Sequence, residues 1–234
     1  MHWRLLIVGL VLLAPGAAAA PATLADAMEQ RNAAEVRKLL ATGADGNAAQ
    51  VDGTTALHWA AYHDDTETAA LLVRAGAKVN ALNRYGMPPI AHACANGNAA
   101  MVKLLLEAGA DANATLKGGE TVLMLAARSG NIEAVKALLA RDARPESRER
   151  AGQTALMWAA AEGHTAVVKT LLDAGADRNV TLDSGFNAYL FAVRGGHLDT
   201  VRAFLAAGAE VNAVMQPQRR RAAGAKATVT TPLM

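Results

Sequence analysis

DGTTALHWAA, residues 52–61, returns in altered form four times, each copy 33 residues after the last. YGMPPIAHAC fills 85–94, GGETVLMLAA 118–127, AGQTALMWAA 151–160 and SGFNAYLFAV 184–193. A second block travels with the first: LLVRAGAKVNA at 71–81, LLLEAGADANA at 104–114, LLARDARPES at 138–147, LLDAGADRNV at 171–180 and FLAAGAEVNA at 204–213. Gly53, Gly86, Gly119, Gly152 and Gly185 mark the first block. Gly43, Gly76, Gly109, Asp142, Gly175 and Gly208 mark the second. Composition alone does not lock two series in phase, so one structural unit is repeated along the chain.

Each unit reads as a turn and two short helices. Thr55, Thr121 and Thr154 share one repeat position, where a hydroxyl caps a helix start. Asn187 offers a cap of another kind, and Pro88 offers none. Leu57, Ile90, Leu123, Leu156 and Tyr189 follow as core residues, one turn before Ala60, Ala93, Ala126, Ala159 and Ala192, which let helices approach closely. Gly97, Gly130, Gly163 and Gly196 separate the helices. Val102, Val135, Val168 and Val201 then precede the Leu pairs at helical spacing. The second helix ends where a left-handed residue is wanted, and Asp142 tolerates that conformation better than most residues.

These segments resemble the ankyrin repeat family, whose consensus runs through TPLHxAA, a Gly-His turn and LLxxGADxN. The resemblance covers roughly residues 23–213. It implies an all-α solenoid of paired antiparallel helices with β-turn fingers. It also implies a non-catalytic scaffold that binds a protein partner through its concave face and turn tips. Mapped onto this chain, those positions include Val51, Asp52, Thr54, Tyr62 and His63 in the first full repeat. The second supplies Arg84, Tyr85, Met87 and Asn96, and the third Lys117, Glu120, Arg128 and Ser129. Arg150, Gln153 and Glu162 follow in the fourth, and Asp183, Phe186 and Arg194 in the fifth. Arg with Tyr, Met and Phe is the composition of interface centres. A further stripe, Trp59, His92, Leu125, Trp158 and Phe191, lies six residues after each turn glycine. It reads as packing between first helices rather than as a ligand groove.

Outside the repeats the sequence changes character. Arg4, the apolar run Leu5 to Leu13, and Pro15-Gly16 before four alanines have the order of a secretory signal peptide over 1–20. Residues 21–50 read as an N-terminal capping repeat, in which Thr23 and Asp26 are spaced as a capping box. Five full repeats occupy 51–213, a basic insertion with Arg219, Arg220, Arg221 and Lys226 occupies 214–228, and Thr231-Pro232-Leu233 within 229–234 opens a sixth repeat. That last match is expected to mark a chain that stops mid-repeat. Richness in Ala and Arg points to a bacterium with GC-rich DNA, so the signal segment implies a periplasmic or secreted protein.

Several activities find no support in the sequence. A net charge of +2 asks for neither nucleic acid nor a membrane surface, and the basic insertion has no interleaved aromatic residue. Cys94 is the single cysteine, so no intrachain disulfide forms. Ser129, Ser147 and Ser184 lack a nucleophile-elbow context, and neither C-x-x-C nor H-E-x-x-H occurs. His58, His164 and His197 fall at structural positions of the repeat, and His92 and Cys94 face different sides of a helix. No cofactor, metal or catalytic residue is expected, and the protein is expected to be a monomer. The alternatives are a regulatory or targeting domain of a longer enzyme, and a secreted effector that engages host proteins.

Overall fold

The structure, a computed structural model, describes residues 23–209. The signal segment, the basic insertion and the start of a sixth repeat lie outside the described residues. Six helix pairs follow one another: α1 (Leu24–Glu29) with α2 (Ala33–Ala41), α3 (Ala56–Tyr62) with α4 (Thr66–Arg74), and α5 (Pro89–Asn96) with α6 (Ala99–Glu107). Then come α7 (Val122–Ser129) with α8 (Ile132–Leu139), α9 (Ala155–Ala161) with α10 (Thr165–Asp173), and α11 (Ala188–Arg194) with α12 (Leu198–Ala206). First helices pack on first helices from α1 to α11, and second helices on second helices from α4 to α12. The described residues form an all-α repeat solenoid. Isolated antiparallel bridges, Ala49 with Thr55, Thr115 with Thr121 and Thr181 with Asn187, close three of the finger turns.

The caps explain where the first helices begin. Thr121 accepts the Met124 N–H at 3.2 Å, Thr154 accepts the Met157 N–H at 3.4 Å, and Asn187 accepts the Leu190 N–H at 2.9 Å. Thr55 forms a capping box with His58. Its hydroxyl meets His58 Nδ1 at 2.8 Å, and its own N–H donates to that nitrogen at 3.1 Å. A backbone N–H only donates, so Nδ1 carries no proton and Nε2–H donates to the Met87 carbonyl of the next finger at 2.9 Å. His58 thus ties a helix start to the neighbouring repeat. At α5, Pro89 occupies the first turn in place of a side-chain cap.

The core is continuous along the array. Leu57, Ile90, Leu123 and Leu156 are 0–1% exposed, and each Ala one turn later is fully buried. Between the helices, Gly130 adopts φ +79°, and a Cβ there would stand 2.6 Å from the His164 ring. The glycine leaves room for that imidazole, whose Nε2 reaches the Arg128 carbonyl at 2.9 Å. His197 repeats the contact on Ala161 O at 2.9 Å. Asn131 reaches Gly97 O at 2.7 Å from the equivalent place. Asp142 takes the left-handed conformation expected of it, with φ 59°.

A second set of joints links the turns after the second helices. Asn47 donates to Gly76 O at 3.1 Å and accepts the Lys78 N–H at 2.7 Å. Asn80 does the same with Gly109 O and the Asp111 N–H, both at 2.9 Å. Asn113 follows with Asp142 O at 3.0 Å and the Arg144 N–H at 2.9 Å. Glu146 stands next in this series. Its carboxylate accepts the Asp177 N–H at 2.8 Å but has no N–H to offer the Gly175 carbonyl. Glu146→Asn is therefore expected to complete the joint and stabilise the fold by about 0.5–1 kcal/mol, the usual worth of one added exposed hydrogen bond. A urea midpoint moving upward with unchanged slope would confirm it, and a midpoint at or below wild type would refute it.

Candidate functional site: the finger-bearing face

The tips of the fingers are tied to one another before any partner arrives. Arg84 N–H donates to Asp52 O at 2.6 Å, and Arg150 N–H to Gly118 O at 3.0 Å. Lys117 Nζ donates to the Arg84 carbonyl, and Arg150 Nη2 donates to the Lys117 carbonyl at 3.1 Å. Lys117 and Arg150, both expected to contact a partner, thus spend a donor each on holding the preceding finger.

Between the first two fingers lies a cavity of about 300 Å³. Trp59, Tyr62, Tyr85 and His92 form its aromatic walls, with Asp52 and Met87 at its edges. Tyr62 stands edge-on to Trp59, centroids 5.6 Å apart, and to His92 at 5.7 Å. Trp59 is fixed by its indole N–H, which donates to Gln50 Oε1 at 2.9 Å. His63 stacks on Trp59 at 5.6 Å and accepts the Arg31 Nε–H at 3.1 Å, so it braces the wall and lies outside the cavity lining. Arg84 lies over Tyr85, its guanidinium carbon 5.6 Å from the ring centroid.

The electrostatics of this cavity follow from burial and hydrogen bonding. Burial first, and the neighbouring His58 second, push His92 down from its ordinary 6.5 to about 4. Burial also lowers His58, against the Met87 carbonyl. Thr54 hydrogen bonds, helped by Arg84, hold the Asp52 carboxyl below its ordinary value. At neutral pH the two imidazoles are uncharged and Asp52 is negative.

A smaller cavity of about 230 Å³ lies further along. Arg128, Gln153 and Glu162 line it together with Trp158. Arg128 covers the indole at 5.0 Å, and Gln153 Oε1 accepts the indole N–H at 2.9 Å. At the far end Arg194 lies 5.3 Å from the Phe186 centroid and 4.8 Å from that of Phe191. Phe186 is half-buried against the core, so its ring is largely committed to packing. Glu120 is half-buried and lines neither cavity.

The aromatic stripe divides in two. Leu125 and Phe191 are 5–6% exposed and pack as expected. Trp59, His92 and Trp158 are partly buried: the two tryptophans pack against the core, and all three also line cavities. An indole is too large for the slot that leucine fills, and its remaining edge becomes wall. The sequence held a signal for this: Gln50 and Gln153, amide acceptors within reach of the two indoles.

Family comparison agrees with this geometry. The family model "Ankyrin repeats (3 copies)" matches at residues 24–116, 67–149, 92–182 and 123–215. The chain belongs to the ankyrin repeat family. Ankyrin repeats generally mediate protein–protein interaction and are typically non-catalytic. No curated protein matches the chain. Among the described residues, no helix of this ankyrin array is long and apolar enough to cross a membrane. No group of three or more His, Cys, Asp or Glu among them stands ready to hold a metal ion. Cys94 is buried and burial pushes its thiol upward, so the ankyrin core holds it as a small apolar residue.

Proposed function

We propose that the protein is a non-catalytic scaffold that binds a partner protein through the finger-bearing face of its repeats. The observation that carries this reading is the pair of half-exposed rings Tyr62 and Tyr85, 52% and 57% exposed, which line one cavity with the partly buried Trp59. Large rings held in place by neighbours offer contact area at little entropic cost, which is how hot spots arise. Replacing Tyr62, Arg84 and Tyr85 together with alanine is expected to weaken partner capture by about tenfold or more while the melting temperature stays close to wild type. Capture from periplasmic extract, followed by identification of the partner, provides the measurement. Undiminished capture by the folded triple variant would move the interface elsewhere.

The place of action follows from residues 1–20. Their charged start, apolar run and small-residue end support export from a bacterial cytoplasm into the periplasm or beyond. Material from the native host is expected to lack about 19–22 N-terminal residues by intact mass. Full-length protein confined to the cytosol would overturn export without touching the binding reading.

A further inference from the structure

The cavity between the first two fingers combines aromatic walls, one carboxylate and no cation among its lining residues. Trp59, Tyr62 and Tyr85 supply faces and edges of three π systems, and His92 adds a fourth ring that stays uncharged at neutral pH. Asp52 supplies the negative charge at the rim. Such walls attract a cation over a ring face, with Trp the strongest host. They discriminate against an anion, which would meet Asp52 without a positive partner in the lining.

We propose that this cavity receives an arginine side chain presented by the partner protein. The inference rests on the finger-bearing face being the binding face. Arginine fits better than lysine on three counts. Its guanidinium is planar and stacks on rings, it sheds water more readily than an ammonium, and its fork matches a carboxylate. The protein already shows the contact once: Arg128 lies on Trp158, the equivalent tryptophan three repeats along the array, at 5.0 Å. At Trp59 the equivalent position on the preceding repeat holds no arginine, because Glu29 stands three repeats before Arg128. Arg84 lies on the Tyr85 ring but outside the cavity lining, where it competes for Asp52 and leaves the walls open.

The test uses the full chain with labelled tryptophan indoles and three short capped peptides, Gly-Arg-Gly, Gly-citrulline-Gly and Gly-Lys-Gly. Trp59→Phe assigns the Trp59 indole resonance, and Trp158 serves as the internal control. The arginine peptide is expected to shift Trp59 saturably. Citrulline, the uncharged isostere, should bind about tenfold more weakly, and lysine should fall between. Asp52→Asn, which keeps the acceptor for the Thr54 N–H, should weaken arginine binding about five- to tenfold. Tyr62→Leu, which keeps apolar area and removes one ring, should weaken it similarly. Equal binding of citrulline and arginine, or arginine binding unaffected by Asp52→Asn, would overturn the proposal. So would a shift confined to Trp158. Partner capture separates this outcome from the scaffold reading: a partner held through Tyr62 and Tyr85 while arginine peptides leave Trp59 unmoved would sink only the arginine pocket.

Discussion

Leu156→Ala lowers the stability of the protein by about 2–5 kcal/mol. Leu156 is 1% exposed, on α9, between the rows formed with α7 and α11. Truncation removes apolar contact and leaves a cavity, and the alanines on either side, Ala155 and Ala159, have nothing with which to fill it. The position makes the loss larger still. In a linear array each repeat is held by its neighbours alone, so damage inside one repeat loosens two interfaces. Leu205→Ala on α12, where the leucine is only half-buried, should cost clearly less. Urea unfolding of both variants checks the order. Equal midpoints would mean that Leu156 does not occupy the shared core.

Acidification from about pH 6.5 to 4 destabilises the fold by an amount on the order of 2–3 kcal/mol. The cause is the pair His58 and His92, whose rings lie 6.3 Å apart. Both titrate below their ordinary 6.5 in the folded chain, His92 at about 4. The unfolded chain therefore takes up protons first as the pH drops. Stability is complete above 6.5, declines through the window, and levels off below the folded values. His58 adds a geometric loss, because a proton on Nδ1 would face the Thr55 N–H that now donates to it. Asp26 acts in the same direction but lower, since Gln50 and Thr23 hold its carboxyl below 3.8. Melting temperatures between pH 4 and 8 provide the check. Wild type should fall through this window while His92→Gln falls less, and identical slopes would remove His92 as the cause.

Much of the fold was legible in the sequence because its determinants are periodic. Leu123, Ala126 and Gly130 recur one period apart from their counterparts, and each position has one job wherever it recurs. The left-handed Asp142 was legible for the same reason. The site was less legible because it depends on what a side chain meets across a turn. Lys117 and Arg150 look like free surface cations until the preceding carbonyl is placed beside them. Met87 reads as an exposed tip, yet its carbonyl receives His58 and its side chain edges a cavity. Thr55 shares a repeat position with two other capping threonines, and only its neighbouring imidazole adds a tie to the next finger. Trp59 and Leu125 share another, and side-chain volume alone sends one into a wall and the other into the core.

Glu146 leaves one joint of the array held by a single bond. At the three preceding joints the asparagine holds the next turn by a donor and an acceptor together, so sliding or hinging at that edge breaks two bonds. At Glu146 it breaks one. The finger side of the same interface stays tied, because Arg150 donates to the Gly118 and Lys117 carbonyls of the preceding finger. The large aromatic cavity lies on one side of this link, and the Arg128–Trp158 cavity straddles the pair of first helices beside it. A partner long enough to touch both would reach across the joint that a single bond holds at this edge.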